Sequence, residues 1–184
     1  SGFLNNFPIK SSMEMIKNTV IPSTIVLSDP TARNGAGERT FISILGSADL
    51  MGPKYIIDDF WDASLFLWGG TALVPLLHDN LTPLLQKARS KGGINVVGTV
   101  YDFRNESSHP QDPWPLGGKA GSNEGQGYPF IDLLITDYEE ALRLSGKKDL
   151  KGAAAFLEES GCGAFIITRG SRDFLIFSHG EIFK

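Results

Sequence analysis

Cysteine, histidine and long apolar runs are all scarce in this chain, and each scarcity excludes something. The one cysteine among 184 residues, Cys162, cannot form an internal disulfide. That points to a reducing compartment, hence the cytoplasm. Cys162 itself reads as a small buried residue beyond a helix end rather than a nucleophile. The three histidines, His78, His109 and His179, lack metal-ligand spacing, so no zinc site is expected. No apolar run approaches a membrane span, and the first residues are not a basic-then-apolar signal peptide. A formal charge of −4 argues against nucleic acid or an anionic membrane as the main partner. No G-x-S-x-G occurs, which removes the serine-hydrolase elbow. Nor is there a P-loop, and GGKAGSNEGQG (117–127) lacks the G-x-G-x-x-G spacing of a dinucleotide fingerprint.

What is present is ordinary globular usage, 41% hydrophobic and 21% charged, enough for one domain with a substantial core. Residues 1–19 carry no clean period and predict short strands and turns. Pro22 to Ser28 and ERTFISIL (38–45) predict two strands joined by the turn-rich DPTARNGAG, an antiparallel hairpin that is either a flap or a plain edge hairpin. Thr40, Ile42 and Ile44 would line one face, and Arg39, Phe41, Ser43 and Leu45 the other. Asp49 to Asp62 reads as helix and loop, and SLFLWGG (64–70) as a buried parallel strand. Leu81, Leu84, Leu85 and Ala88 recur on one helical face, with Asp79 or Asn80 as N-cap and Lys91-Gly92-Gly93 as the stop. INVVGTVY (94–101) completes a right-handed βαβ unit.

Ser107 to Tyr128 predicts a long flexible loop anchored by Trp114. Leu133 to Ile135 is a third strand, Asp137 caps a helix, and Asp149 caps another that ends at Gly161. AFIIT (164–168) and DFLIF (173–177) are joined by a turn too short for a helix and are therefore antiparallel. The sum is an α/β fold with a mostly parallel sheet flanked by helices and an antiparallel edge.

Ligands of such sheets gather beyond the carboxyl ends of the strands, which singles out two polar turns, Thr136 to Glu140 and Thr168 to Asp173. Asp137 and Glu140 have capping-box spacing. They also stand at a helix N-terminus where phosphate can bind with Mg²⁺ beside the carboxylates. Thr168 offers a hydroxyl and Gly170 a close backbone approach, although a plain hairpin turn accounts for both. Asp102 and Arg104, just past the 94–101 strand, are either substrate-side groups or an exposed ion pair.

Together these segments resemble the central portion of a PfkB, or ribokinase-like, carbohydrate kinase. GERTFISILGSADLM is similar to the family's second lid strand, and LLQKARSKGGINVVGTVYDFRNE to the approach to its D-x-N-x-R region. IDLLITDYEEALRLSG is similar to the N-x-x-E segment, and IITRGSRDFLIF to the nucleotide loop T-x-G-x-x-G. The resemblance implies a ribokinase-like fold with a small β lid over residues 1–46 and a partial kinase core over 47–184. It implies ATP and Mg²⁺ as cofactors and a sugar or related small molecule as phosphoryl acceptor. Asp137, Glu140, Thr168 and Gly170 would bind the nucleotide, with Glu140 near the metal. Arg39, Asp102 and Arg104 would face the substrate, and the lid is where a second copy would pair as a homodimer.

Departures accompany the likeness. Asp137 replaces the family's asparagine, Asp173 replaces the last loop glycine, and Arg104-Asn105 breaks the usual register. The N-terminal G-G substrate region and the C-terminal G-A-G-D, which carries the base aspartate, are absent; GAGE at 35–38 lies in the flap. The chain is accordingly expected to be an inactive fragment of a kinase. A non-catalytic binding or regulatory module is the alternative. The opening Ser1, in place of methionine, fits a processed chain, an expression remnant or a piece of something longer.

Overall fold

Alternating apolar residues along five short segments build the sheet that dominates the computed structural model, which describes residues 17–32, 37–118, 126–178 and 180–183. The strands are β3 (Leu65–Gly69), β4 (Ile94–Gly98), β5 (Leu133–Asp137), β6 (Ala164–Thr168) and β7 (Phe174–Ser178), with a short β8 (Glu181–Phe183) at the edge. They lie in sequence order as one six-stranded sheet. β3 to β6 run parallel, and β7 and β8 are antiparallel additions. A separate two-stranded antiparallel sheet holds β1 (Ser23–Asp29) and β2 (Glu38–Ile44).

The helices that follow the strands are α1 (Pro75–His78), α2 (Leu81–Ser90), α3 (Phe103–Ser108), α4 (Tyr138–Ser145) and α5 (Leu150–Glu159). α2 presents Leu81, Leu84, Leu85 and Ala88 inward, as their spacing requires. It stops at Gly92, whose φ of +82° suits glycine. Asn80 holds the N-cap position, but its side chain donates to the Leu76 carbonyl instead of capping. Asp149 caps α5 through the Gly152 amide.

The core lies on one face of the sheet. Phe66, Trp68, Val97, Leu134, Phe165, Ile167, Leu175 and Phe177 point into it and meet the helices. Each such side chain, fully buried, contributes about 1.5–3 kcal/mol. Trp114, Leu116 and Tyr128 join the same core from the β4-to-β5 connection, so residues 114–117 of the expected flexible loop are packed rather than loose. Cys162 is buried there too, its thiol pushed up to about 12 by desolvation, which makes it inert.

SLFLWGG differs from its expected full burial. Phe66 and Trp68 are buried, whereas Leu65 and Leu67 are 56% and 67% exposed. The reason is that β3 is an edge strand with helices on one side only. The helix expected within 49–62 is replaced by three short helical turns, Gly46–Leu50, Pro53–Tyr55 and Asp58–Asp62. The β1–β2 hairpin is antiparallel, as expected, and its register sets Ile25 opposite Ile42 and Val26 opposite Phe41. Both of its faces are exposed. Residues 1–16, the 33–36 portion of the hairpin turn with its GAGE, residues 119–125 and His179 lie outside the described residues.

Candidate functional site

The parallel register of β5 and β6 decides where the two polar turns go. Asp137 is the direct register partner of Thr168, so both turns leave the sheet side by side at its carboxyl edge. At the first, Asp137 keeps an extended backbone and its Oδ1 accepts the Glu140 amide at 2.8 Å, while Glu140 Oε2 accepts the Asp137 amide at 3.4 Å. This is the reciprocal capping box expected from the spacing.

Glu140 does more than cap. It is 9% exposed, and the Thr99 hydroxyl donates to its Oε2. Thr99 Oγ1 also stands 2.8 Å from Thr136 Oγ1, so side chains from the ends of β4 and β5 and the first turn of α4 form one cluster. Burial pushes the Glu140 carboxyl above the ordinary carboxylate range and the Asp137 charge adds to this, against the lowering by the Thr99 hydrogen bond. The charged form is under-compensated, and a nearby cation would relieve it.

At the second turn, Thr168 Oγ1 lies 3.5 Å from the Thr136 carbonyl it faces. Gly170 has φ +63°, and a Cβ built there would touch nothing within 4 Å. Its backbone faces open space. Arg169 ties the turns together, since its guanidinium lies 5.6 Å from the Tyr138 ring centroid and pairs with Asp173 at 2.9 Å.

One layer deeper, His78 is buried between the Thr71 hydroxyl and the Pro115 carbonyl, each 3.0 Å away. Its Nε2 is 3.6 Å from Asp102. Desolvation holds its imidazole below the ordinary histidine range, with Asp102 opposing. The neutral tautomer with a proton on Nε2 satisfies both neighbours. A cavity of about 10 Å³ separates His78 and Asp102 from Thr99, room for about one water.

No protein-family model matches the sequence, and no curated protein matches it. Solved structures do match in shape. A ribokinase from Giardia lamblia superposes with a TM-score of 0.66 at 13% identity, over 98% of this chain and 53% of its own. A putative ribokinase II from E. coli, in complex with ATP and Mg²⁺, gives 0.60 at 16% identity, over 79% of this chain and 46% of its own. Arabidopsis thaliana ribokinase, complexed with ribose and ATP, gives 0.56 at 16% identity, over 89% and 47%.

The fold is ribokinase-like. The chain spans about half the length of the solved structures it resembles.

On this ribokinase-like frame, Asp137, Glu140, Thr168 and Gly170 converge at one rim. Asp102 and Arg104 do not join them. Asp102 is 2% exposed and turned inward, where it caps α3 and accepts from the Asn105 amide and side chain. Arg104 forks onto Asp79. Arg39 sits exposed on the separate hairpin, opposite Ser28. The residue from the end of β4 that reaches Glu140 is Thr99, which the sequence reading passed over. Its one signal was its place, directly after the last strand residue, Gly98.

Proposed function

We propose that the chain is part of an ATP-dependent kinase that transfers the γ-phosphoryl group to a hydroxyl of a sugar or related small molecule. The observation that carries this reading is the pairing of Asp137 with Thr168, which sets an acid-lined helix start beside a glycine turn facing open space. A triphosphate lying across both turns would meet the Thr168 hydroxyl, the Gly170 backbone and the first amides of α4. The ribokinase-like solved structures with bound ATP support it.

The donor set suits Mg²⁺. Among the described residues no group of three or more His, Cys, Asp and Glu could hold a metal alone. Magnesium, however, takes one or two carboxylates and completes its shell with phosphates and water. Glu140 would be that carboxylate, held in place by Thr99 and the Asp137 amide. When bound, the ion would neutralise charge on the phosphates. Asp137, Glu139 and Glu140 would otherwise repel a triphosphate, and Arg169 would attract it.

In the transfer the acceptor oxygen bonds to the γ-phosphorus, the bond to the β-bridging oxygen breaks, and ADP leaves. The hairpin with Arg39 would close over the acceptor and exclude water, and Asp102 and Arg104 would shape the acceptor side from below. No residue of the chain is assigned as base, since the G-A-G-D motif is not in the sequence. A cytoplasmic location and pairing of two copies through the hairpin belong to the same reading. Among the described residues no helix is long and apolar enough to cross a membrane.

Titration calorimetry with ATP, with and without Mg²⁺, tests the site. Binding should require Mg²⁺ and weaken about tenfold, some 1.4 kcal/mol, in Glu140→Gln. Equal affinity for the two proteins, or none with Mg²⁺, would remove the nucleotide reading. The alternative reading is a non-catalytic binding or regulatory module. ATP binding without transfer to any of a broad acceptor panel, in the full product of the gene, would select it.

A further inference from the structure

The register that sets the two rim turns side by side also fixes a cation between them. Thr168 pairs with Phe174, so Arg169 and Asp173 are the first residues past the ladder and stand opposite each other at the base of the β6–β7 turn. The Arg172 amide donates to the Arg169 carbonyl at 3.2 Å, and Gly170, with φ +63°, closes that turn. Across the sheet, Asp137 pairs with Thr168, which brings Tyr138, one residue on, beside Arg169. The guanidinium is therefore held twice. Its Nη1 donates to Asp173 Oδ1 at 2.9 Å, and its central carbon lies 5.6 Å from the Tyr138 ring centroid.

A bound polyphosphate would treat these two contacts differently. A ring beneath the guanidinium leaves its N–H donors free for an anion at the edge. A carboxylate takes the same donors that phosphate oxygens would take. The Arg169 side chain is 30% exposed and that of Asp173 54%, four residues apart in the chain, so theirs is an exposed ion pair, weak enough to be exchanged. Asp137, Glu139 and Glu140 already crowd the start of α4 with negative charge. Arg169 is the cation that lies between them and the glycine turn.

We propose that Tyr138 is a positioning residue that holds the Arg169 guanidinium over the rim for the phosphates of ATP, and that Asp173 is a built-in competitor which releases it when the nucleotide binds. This rests on the nucleotide reading above and says which contacts set its affinity. Without a ligand, Asp173 neutralises Arg169. With ATP, Nη1 exchanges a carboxylate oxygen for a phosphate oxygen while the ring contact persists. The cost of that exchange falls on binding, so the chain holds ATP less tightly than its own cation would allow.

Titration calorimetry with ATP and Mg²⁺, on the full product of the gene, tests both roles. Arg169→Ala should weaken binding about tenfold. Tyr138→Leu should weaken it about threefold, whereas Tyr138→Phe, which keeps the ring, should bind as the parent does. Asp173→Asn should tighten binding about threefold, and by more at low salt than at high. The double variant separates competition from plain repulsion, since in an Arg169→Ala background most of the Asp173→Asn gain should vanish. An undiminished gain there would overturn the competitor role. Equal affinities for Tyr138→Leu and Tyr138→Phe would overturn the positioning role. Parent and variants that all bind ATP alike would remove this proposal alone, while no binding by any of them would remove the nucleotide reading with it.

Discussion

Two faces of one sheet, a single residue apart along the same strands, have opposite fates. Phe66, Val97, Leu134 and Phe165 are at most 1% exposed under the helices, while Leu67, Ile94 and Ile135 face outward. Their chemistry is alike, since both rows are aliphatic or aromatic. Only the winding of the chain distinguishes them, because each parallel crossover returns on the same side. Apolar character therefore says that a residue wants cover, and topology says whether it has it.

The comparison makes predictions of decreasing size. Phe165 is fully buried and stacked on Phe177 at 4.7 Å, so Phe165→Ala should cost about 3–5 kcal/mol in urea unfolding. A loss near zero would mean that the covered face is no better packed than the bare one. On the helical layer itself, Asp137→Ala removes the reciprocal cap of α4 and should cost about 1 kcal/mol. Asp149→Ala at α5 should cost a similar amount, so a much larger loss at Asp137 would mean that the rim cluster with Glu140 and Thr99 carries stability as well.

His78 tests the buried layer beneath the rim by pH. Its folded pKa is lowered by burial, so protons bind more readily to the unfolded chain. Its contribution is complete above the ordinary histidine pKa of about 6.5 and is lost as pH falls through that value toward the lower folded one. The urea midpoint should drop between about pH 7 and 5, and His78→Gln should flatten that drop. The smallest effect belongs to the bare face, where Phe174→Ala in the 184-residue chain should change stability by no more than about 0.5 kcal/mol. A loss of several kcal/mol there would show that something already covers it.

Local patterns carried most of the strand and helix assignments. The apolar runs at Leu65, Ile94 and Ala164, the helical spacing from Leu81 to Ala88 and the caps at Asp137 and Asp149 are each legible within a few residues, because hydrogen-bonded turns and side-chain periods are local. The same holds for the candidate nucleotide residues, whose two turns follow strands in plain sight. Thr99 was not legible, because a threonine after a strand is unremarkable until β4 and β5 pair and bring it to Glu140. Nor was the burial of Asp102 legible, for the same reason. Its sequence place is the sheet rim, but its carboxylate is consumed by Asn105 and faces His78.

The sequence by itself determined the parallel α/β class and the two acid- and glycine-bearing turns, since these depend on composition, period and spacing along the chain, and its motifs carried the resemblance to ribokinase-like kinases. Tertiary structure alone decided that Asp137 lies against Thr168, that Thr99 and not Asp102 reaches Glu140, and that among the described residues Leu67, Ile94 and Ile135 on the second face of the sheet stand exposed. Each of those depends on strand register and crossover direction, which couple residues tens of positions apart and leave no trace in any short window of sequence.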